Sequence, residues 1–83
     1  MPGKLRRLSG REIEAILAGF GFVRIAGGKG SHLKLRRTLA DGSRQTLILP
    51  DHKEIDRGTL ASILRKASAY ISDDELRPHF YTD

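Results

Sequence analysis

Three histidines, His32, His52 and His79, are the side chains of this sequence that can exchange a proton near neutral pH. Their spacing fits no metal motif: there is no cysteine to complete a ligand set and no His-Glu-x-x-His pair. The run Gly27-Gly28-Lys29-Gly30-Ser31 has the composition of a phosphate-binding loop without its order. A Walker loop needs Ser or Thr directly after its Lys, a Gly five residues back and a full α/β sheet behind it, whereas here Gly30 follows Lys29. Ser31 lies at a strand start with no elbow to activate it as a nucleophile. His32 is the most informative residue. It follows a glycine-rich turn that leaves it accessible, and Lys34 and Arg36 join it at two-residue spacing. A histidine among cations sits close to any bound phosphate and can move a proton there; it can equally be an exposed strand residue that touches a polyanion's backbone, or nothing. His52 falls in a loop and reads as solvated. His79 falls near a C-terminus expected to fray, and no role is assigned to it.

The elements that must position these residues are marked locally. Ser9-Gly10-Arg11-Glu12 is a capping box, flanked by Leu8 and Ile13 in the positions of a hydrophobic staple. Ile13, Ile16, Leu17 and Phe20 then follow helical spacing, and Gly19 and Gly21 supply stop signals, which predicts a helix over about 10–19. A short strand is expected from Phe22 to Ala26. From Ser31 to Thr38 the pattern alternates, with Leu33 and Leu35 on one side and His32, Lys34 and Arg36 on the other. Asp41-Gly42 signals a hairpin into a third strand, Arg44 to Leu49, ending at Pro50. After a polar loop from Asp51 to Ile55, Asp56 caps a second helix whose stripe is Leu60, Ile63, Leu64 and Ala67. Ser72-Asp73-Asp74-Glu75 is a second capping box, and Pro78 limits the helix it starts to a turn or two. The order α-β-β-β-α with a short extra C-terminal helix predicts an α+β two-layer sandwich, a three-stranded antiparallel sheet with helices on one face.

Length and composition bound what such a chain can do. Its 83 residues suit a single domain spanning 1–83, and Leu, Ile, Val and Phe supply 22 of them, enough to collapse around a thin core. The longest run of those four residue types is Leu47-Ile48-Leu49, so no membrane span is expected. The start, Met1-Pro2-Gly3-Lys4-Leu5-Arg6-Arg7, has charge but no apolar stretch behind it and does not read as a signal peptide. The absence of cysteine fits a reducing compartment, and a cytoplasmic location is expected. The net charge of +5 is unevenly placed: residues 1–46 carry +7 and residues 47–83 carry −2. Six cations and one anion fall between Arg24 and Arg44, around the strands that carry His32. Such a face suits a polyanion, and Arg24, Lys29, Lys34, Arg36 and Arg44 are its candidate contacts.

Four segments carry a family resemblance. Gly21-Phe22-Val23-Arg24, Gly30-Ser31-His32, Leu49-Pro50-Asp51-His52 and the run from Gly58-Thr59-Leu60 through Ile63-Leu64 to Ala67 resemble, in order and at similar spacing, the HicA toxin family. The similarity covers about residues 9–69 and leaves 70–83 as a tail; Arg57 stands where the family often has Pro. The resemblance implies a double-stranded-RNA-binding-like fold and an mRNA interferase, a toxin that cuts messenger RNA and is neutralised by a HicB antitoxin. It places the family's catalytic histidine on His32. RNA carries its own nucleophile, the 2′-hydroxyl, so no cofactor and no metal are expected. A non-catalytic RNA-binding module, and an interaction protein whose basic face docks an acidic partner, are the competing readings.

Overall fold

The computed structural model describes residues 3–82. In chain order the elements are β1 (Lys4–Leu5), α1 (Gly10–Ala18), β2 (Val23–Arg24), β3 (His32–Thr38), β4 (Arg44–Pro50), α2 (Arg57–Ala67), α3 (Asp73–Phe80) and β5 (Tyr81–Thr82). This is the expected α+β arrangement, with an antiparallel sheet in the order β2-β3-β4.

Helix α1 starts where its capping box says it should. The Ser9 hydroxyl accepts from the Glu12 N–H at 3.0 Å and Glu12 Oε1 accepts from the Ser9 N–H at 2.8 Å. Leu8 and Ile13 close the staple in the core, while Ile16 and Phe20 are only partly covered. The end differs in detail from the sequence reading. Gly19 is still right-handed, and the turn is made at Gly21 (φ +96°), with the Gly21 N–H donating to Ala18 O and the Phe22 N–H to Leu17 O. That is a Schellman closure, which needs a residue free to adopt positive φ. It drives Phe22 inward, where it is fully buried. The strand expected over 22–26 is therefore shorter, although the Ile25 N–H still reaches Lys34 O at 2.9 Å.

Strands β3 and β4 pair along seven residues, from His32 opposite Pro50 to Thr38 opposite Arg44. Leu33, Leu35, Leu47 and Leu49 face the helices and are buried; His32, Lys34, Arg36, Thr46 and Ile48 alternate onto the other face. Helix α2 begins at Asp56, whose carboxylate accepts from the Thr59 N–H and hydroxyl, and buries Leu60, Ile63, Leu64 and Ala67 against the sheet.

Residues 71–82 pack back onto the rest of the domain. Ser72 accepts from the Glu75 N–H at 3.3 Å, but its hydroxyl donates to Glu75 Oε1, so this second box closes side chain to side chain. Pro78 lies inside α3, removing the N–H that Asp74 O would have accepted, and the helix ends two residues on. Ile71, Leu76 and Phe80 join the same core as the sheet leucines. Strand β5 then pairs with β1, and the Arg6 N–H donates to Phe80 O at 2.8 Å. His79, expected in a loose tail, packs edge-on against Phe20 with ring centroids 5.6 Å apart.

Candidate functional site

His32 opens β3 at the end of the sheet where several backbones meet. The Asp51 N–H donates to Ser31 O, Pro50 lies directly across, and the Gly10 N–H at the start of α1 donates to His52 O. On the other side the turn 27–30 folds back onto the strand. A Cβ at Gly28 would stand 2.6 Å from His32 O and 3.3 Å from Lys34 N, so only glycine lets this turn lie so close. The turn returns a contact: Nδ1 of His32 lies 3.2 Å from the Lys29 carbonyl oxygen. A carbonyl only accepts, so in this contact Nδ1 is the donor, and in the neutral ring that leaves Nε2 as the acceptor nitrogen. An exposed imidazole held by one nitrogen and open at the other is arranged to take a proton.

Lys34 and Arg36 follow on the same face at strand spacing, about 7 Å per two residues. Arg44 occupies the far end of the face, across from Thr38, and Lys29 sits in the turn beside His32. None of these four cations forms an ion pair among the described residues. Nε of Arg36 is shielded from solvent and has no hydrogen-bond partner there. The face is not purely polar: Val23, opposite Arg36, and Ile48, opposite Lys34, are 61% and 56% exposed.

The remaining cations of the basic stretch serve the fold. Arg24 pairs with Leu35 on the helix side and makes a two-pronged contact with Glu14 of α1, both distances 2.7 Å. This hydrogen-bonded pairing holds the Glu14 carboxyl below its ordinary value and raises Arg24. The structure thus sets Arg24 on the opposite face from His32, Lys34 and Arg36. Arg37, which sequence reasoning only counted, is a clamp. Its Nε donates to Gln45 Oε1, Nη1 to Phe20 O and Nη2 to Tyr70 O, at 2.8, 3.0 and 2.9 Å, with the guanidinium 5.0 Å from the Phe22 ring centroid. The signal for it is its position one residue after Arg36, where alternation turns Arg37 to the helix side.

His52 lines a shallow cavity of about 580 Å³ with Ser9, Arg11, Glu12, Asp51 and Lys53, a lining that includes neither His32 nor the cations of its row. Arg11 bridges to Asp51 with two bonds of 3.2 Å, and the hydrogen bond pulls the Asp51 carboxyl below its usual range. No group of three His, Cys, Asp or Glu among the described residues is placed to hold a metal ion, and no helix among them is long and apolar enough to cross a membrane.

Fold and face together define a class: a small α+β domain with one sheet face under its helices and the other open, cationic and headed by a histidine. The model of one family, described as HicA toxin of bacterial toxin-antitoxin, matches residues 10–69. The chain belongs to the HicA toxin family, and its place is that of the toxin in a toxin–antitoxin pair, which implies an antitoxin partner. No curated protein and no solved structure matches it.

Proposed function

We infer that this toxin is an mRNA interferase, a metal-independent endoribonuclease of the cytoplasm that uses His32 as its proton-transfer group. The observation that carries the reading is the placement of His32, with Nδ1 engaged and Nε2 open, in one row with the unpaired cations Lys34 and Arg36. Nε2 takes the proton of a ribose 2′-hydroxyl as that oxygen attacks the adjacent phosphorus. The P–O5′ bond breaks, the 5′ oxygen takes a proton from water as it leaves, a 2′,3′-cyclic phosphate remains on the other product, and the protonated His32 gives its proton back to the hydroxide so formed. Lys34, Arg36 and Lys29 hold the phosphate and offset the charge that builds on its oxygens. The terminal nitrogens of Arg36, in no ion pair among the described residues, are the donors it offers a phosphate oxygen, its Nε being shielded from solvent. Arg44 extends the track along the strand. Arg24, tied to Glu14, contributes to RNA only through the field of the whole domain.

The partner in this reading is a HicB-type antitoxin that neutralises the toxin by covering His32 and the cationic row. The test is cleavage of single-stranded RNA by purified protein in EDTA. One well-placed acid–base group is worth about 10²–10⁴ in rate, so His32→Ala should lose at least that factor with an unchanged melting temperature. Binding of RNA with no cleavage by the native chain would favour a non-catalytic RNA-binding module. A folded, fully active His32→Ala variant would remove the assignment of the histidine.

A further inference from the structure

Among the described residues no strand pairs with the outer edge of β4, and the hydrogen-bond phase of that edge follows from the ladder. The Asp51 N–H donates to Ser31 O and the Leu39 N–H to Ser43 O, so residues 43 and 51 both belong to hydrogen-bonded pairs with the β3 side. Such pairs alternate in an antiparallel ladder, so Gln45, Leu47 and Leu49 turn their N–H and C=O groups toward β3 while Arg44, Thr46 and Ile48 turn theirs outward. The β2 side agrees: Lys34 O, in the opposite phase on β3, accepts from Ile25. No bond to the outward groups of Thr46 or Ile48 comes from any described loop or turn. A row of free donors and acceptors on a seven-residue strand is a template for another strand.

Beside this edge lies a groove of about 460 Å³ lined by Thr46, Leu47, Ile48, Lys66, Ala69 and Tyr70. A chain laid on the edge would turn alternate side chains to the groove, against Leu47, Ala69 and Tyr70, and the others to the open face, next to Ile48 and the row of Lys34, Arg36 and Arg44. The first set must be apolar and the second acidic. A second copy of this chain fits poorly, because each copy carries +5 and would bring the same cations to the seam.

We propose that the edge of β4 receives an extended segment of the antitoxin as a fourth strand, with apolar residues toward Tyr70 and carboxylates toward Lys34, Arg36 and Arg44. The inference rests on reading this chain as an antitoxin-bound toxin. It supplies a mode of control: one end of that strand lies beside Pro50, the cross-strand neighbour of His32, so the bound segment spoils the approach of RNA to the row without entering a cavity.

Amide hydrogen exchange followed by NMR on the full chain tests this without RNA, so its outcome is independent of the cleavage assay. Two additions are compared, the co-expressed antitoxin and a capped peptide of sequence Thr-Val-Glu-Val-Glu-Val-Thr. Both should slow exchange at Thr46 and Ile48 by tenfold or more and leave Leu47 and Leu49, already bonded to β3, unchanged. The same peptide with Lys for Glu should leave exchange at Thr46 and Ile48 as in the free chain. Ile48→Pro removes an outward donor without touching the β3 ladder and should abolish the effect; Lys66→Glu, an exposed change on the groove wall, should weaken binding of the acidic peptide at least threefold should the proline variant fail to fold. An antitoxin complex in which Thr46 and Ile48 exchange as in the free chain overturns the proposal, as does a free chain that is dimeric with those amides already protected.

Discussion

Arg36 and Arg37 are neighbours of the same residue type, and the fold gives them opposite tasks. Replacing Arg37 by Ala deletes donors to Gln45, Phe20 O and Tyr70 O and the contact over Phe22. These acceptors belong to the end of α1, to β4 and to the segment after α2, so one side chain ties three parts of the molecule. Each part-buried bond to a charged donor counts for about 1 kcal/mol where water can partly replace it, the exposed bond to Tyr70 for less, and the ring contact for about 0.5–1 kcal/mol. The sum is about 3 kcal/mol, a large share of the roughly 4–12 kcal/mol expected for a chain of this length. At about 4–8 °C per kcal/mol, the melting midpoint should fall by roughly 12–24 °C. Arg37→Lys keeps the charge but not the planar fork, satisfies one acceptor at most, and should recover less than half of the loss. Arg36→Ala, whose Nε has no partner, should change stability by no more than about 0.5 kcal/mol. Urea unfolding of the three variants, followed by circular dichroism, reads all of this. An Arg37→Ala loss below about 1 kcal/mol, or an equal loss for Arg36→Ala, would refute the division of the two arginines between clamp and open face.

Three further outcomes follow from the site and its supports. Gly28→Ala must open the 2.6 Å approach to His32 O by about 0.8 Å to reach the 3.4 Å of ordinary contact, displacing the turn that holds the imidazole; RNA cleavage should drop by up to about 10²-fold. Gly30→Ala, left-handed at φ +59° with nothing within 4 Å, should instead cost about 1 kcal/mol of stability with the site undisplaced, and equal cleavage by the two variants would dismiss the positioning role of Gly28. Glu12, Glu14, Asp41, Asp51 and Asp56 all have folded-state values depressed by hydrogen bonds, to Ser9, Arg24, Ser43, Arg11 and Thr59 in that order. Below the ordinary values of 3.8 and 4.5 the unfolded chain therefore takes up protons first, and stability, full above that range, should decline as pH falls through it; a melting temperature that stays level there would contradict these pairings. Lys34→Ala and Arg36→Ala should each weaken RNA binding at every sequence and lower the slope of log K against log salt by about one, measured by fluorescence anisotropy with the His32→Ala background; an unchanged slope removes the residue from the phosphate contacts.

Much of this arrangement is written in short-range pattern. The box at Ser9 and Glu12, the alternation from His32 to Arg36, the cap at Asp56 and the α2 stripe each involve residues a few positions apart, where backbone geometry alone fixes which side chains share a face. His32 with Lys34 and Arg36 was legible for that reason. Arg24 was harder, since a two-residue strand offers no alternation to read, and its face depends on its register against Leu35 and on Glu14 being opposite.

The amino-acid sequence by itself thus determined the element order, the buried leucine rows, the cationic excess and the histidine at the head of its strand, because each depends on local propensity or on a period of two or of 3.6. Only the tertiary structure decided which cations are spent on the fold and which stay free. It also joined Lys4–Leu5 to Tyr81–Thr82, made His79 a packed ring, and left the outer backbone of β4 without a strand partner among the described residues. Those outcomes depend on contacts between segments far apart in the chain, whose partners are chosen by how the whole core closes and leave no periodic mark in either segment.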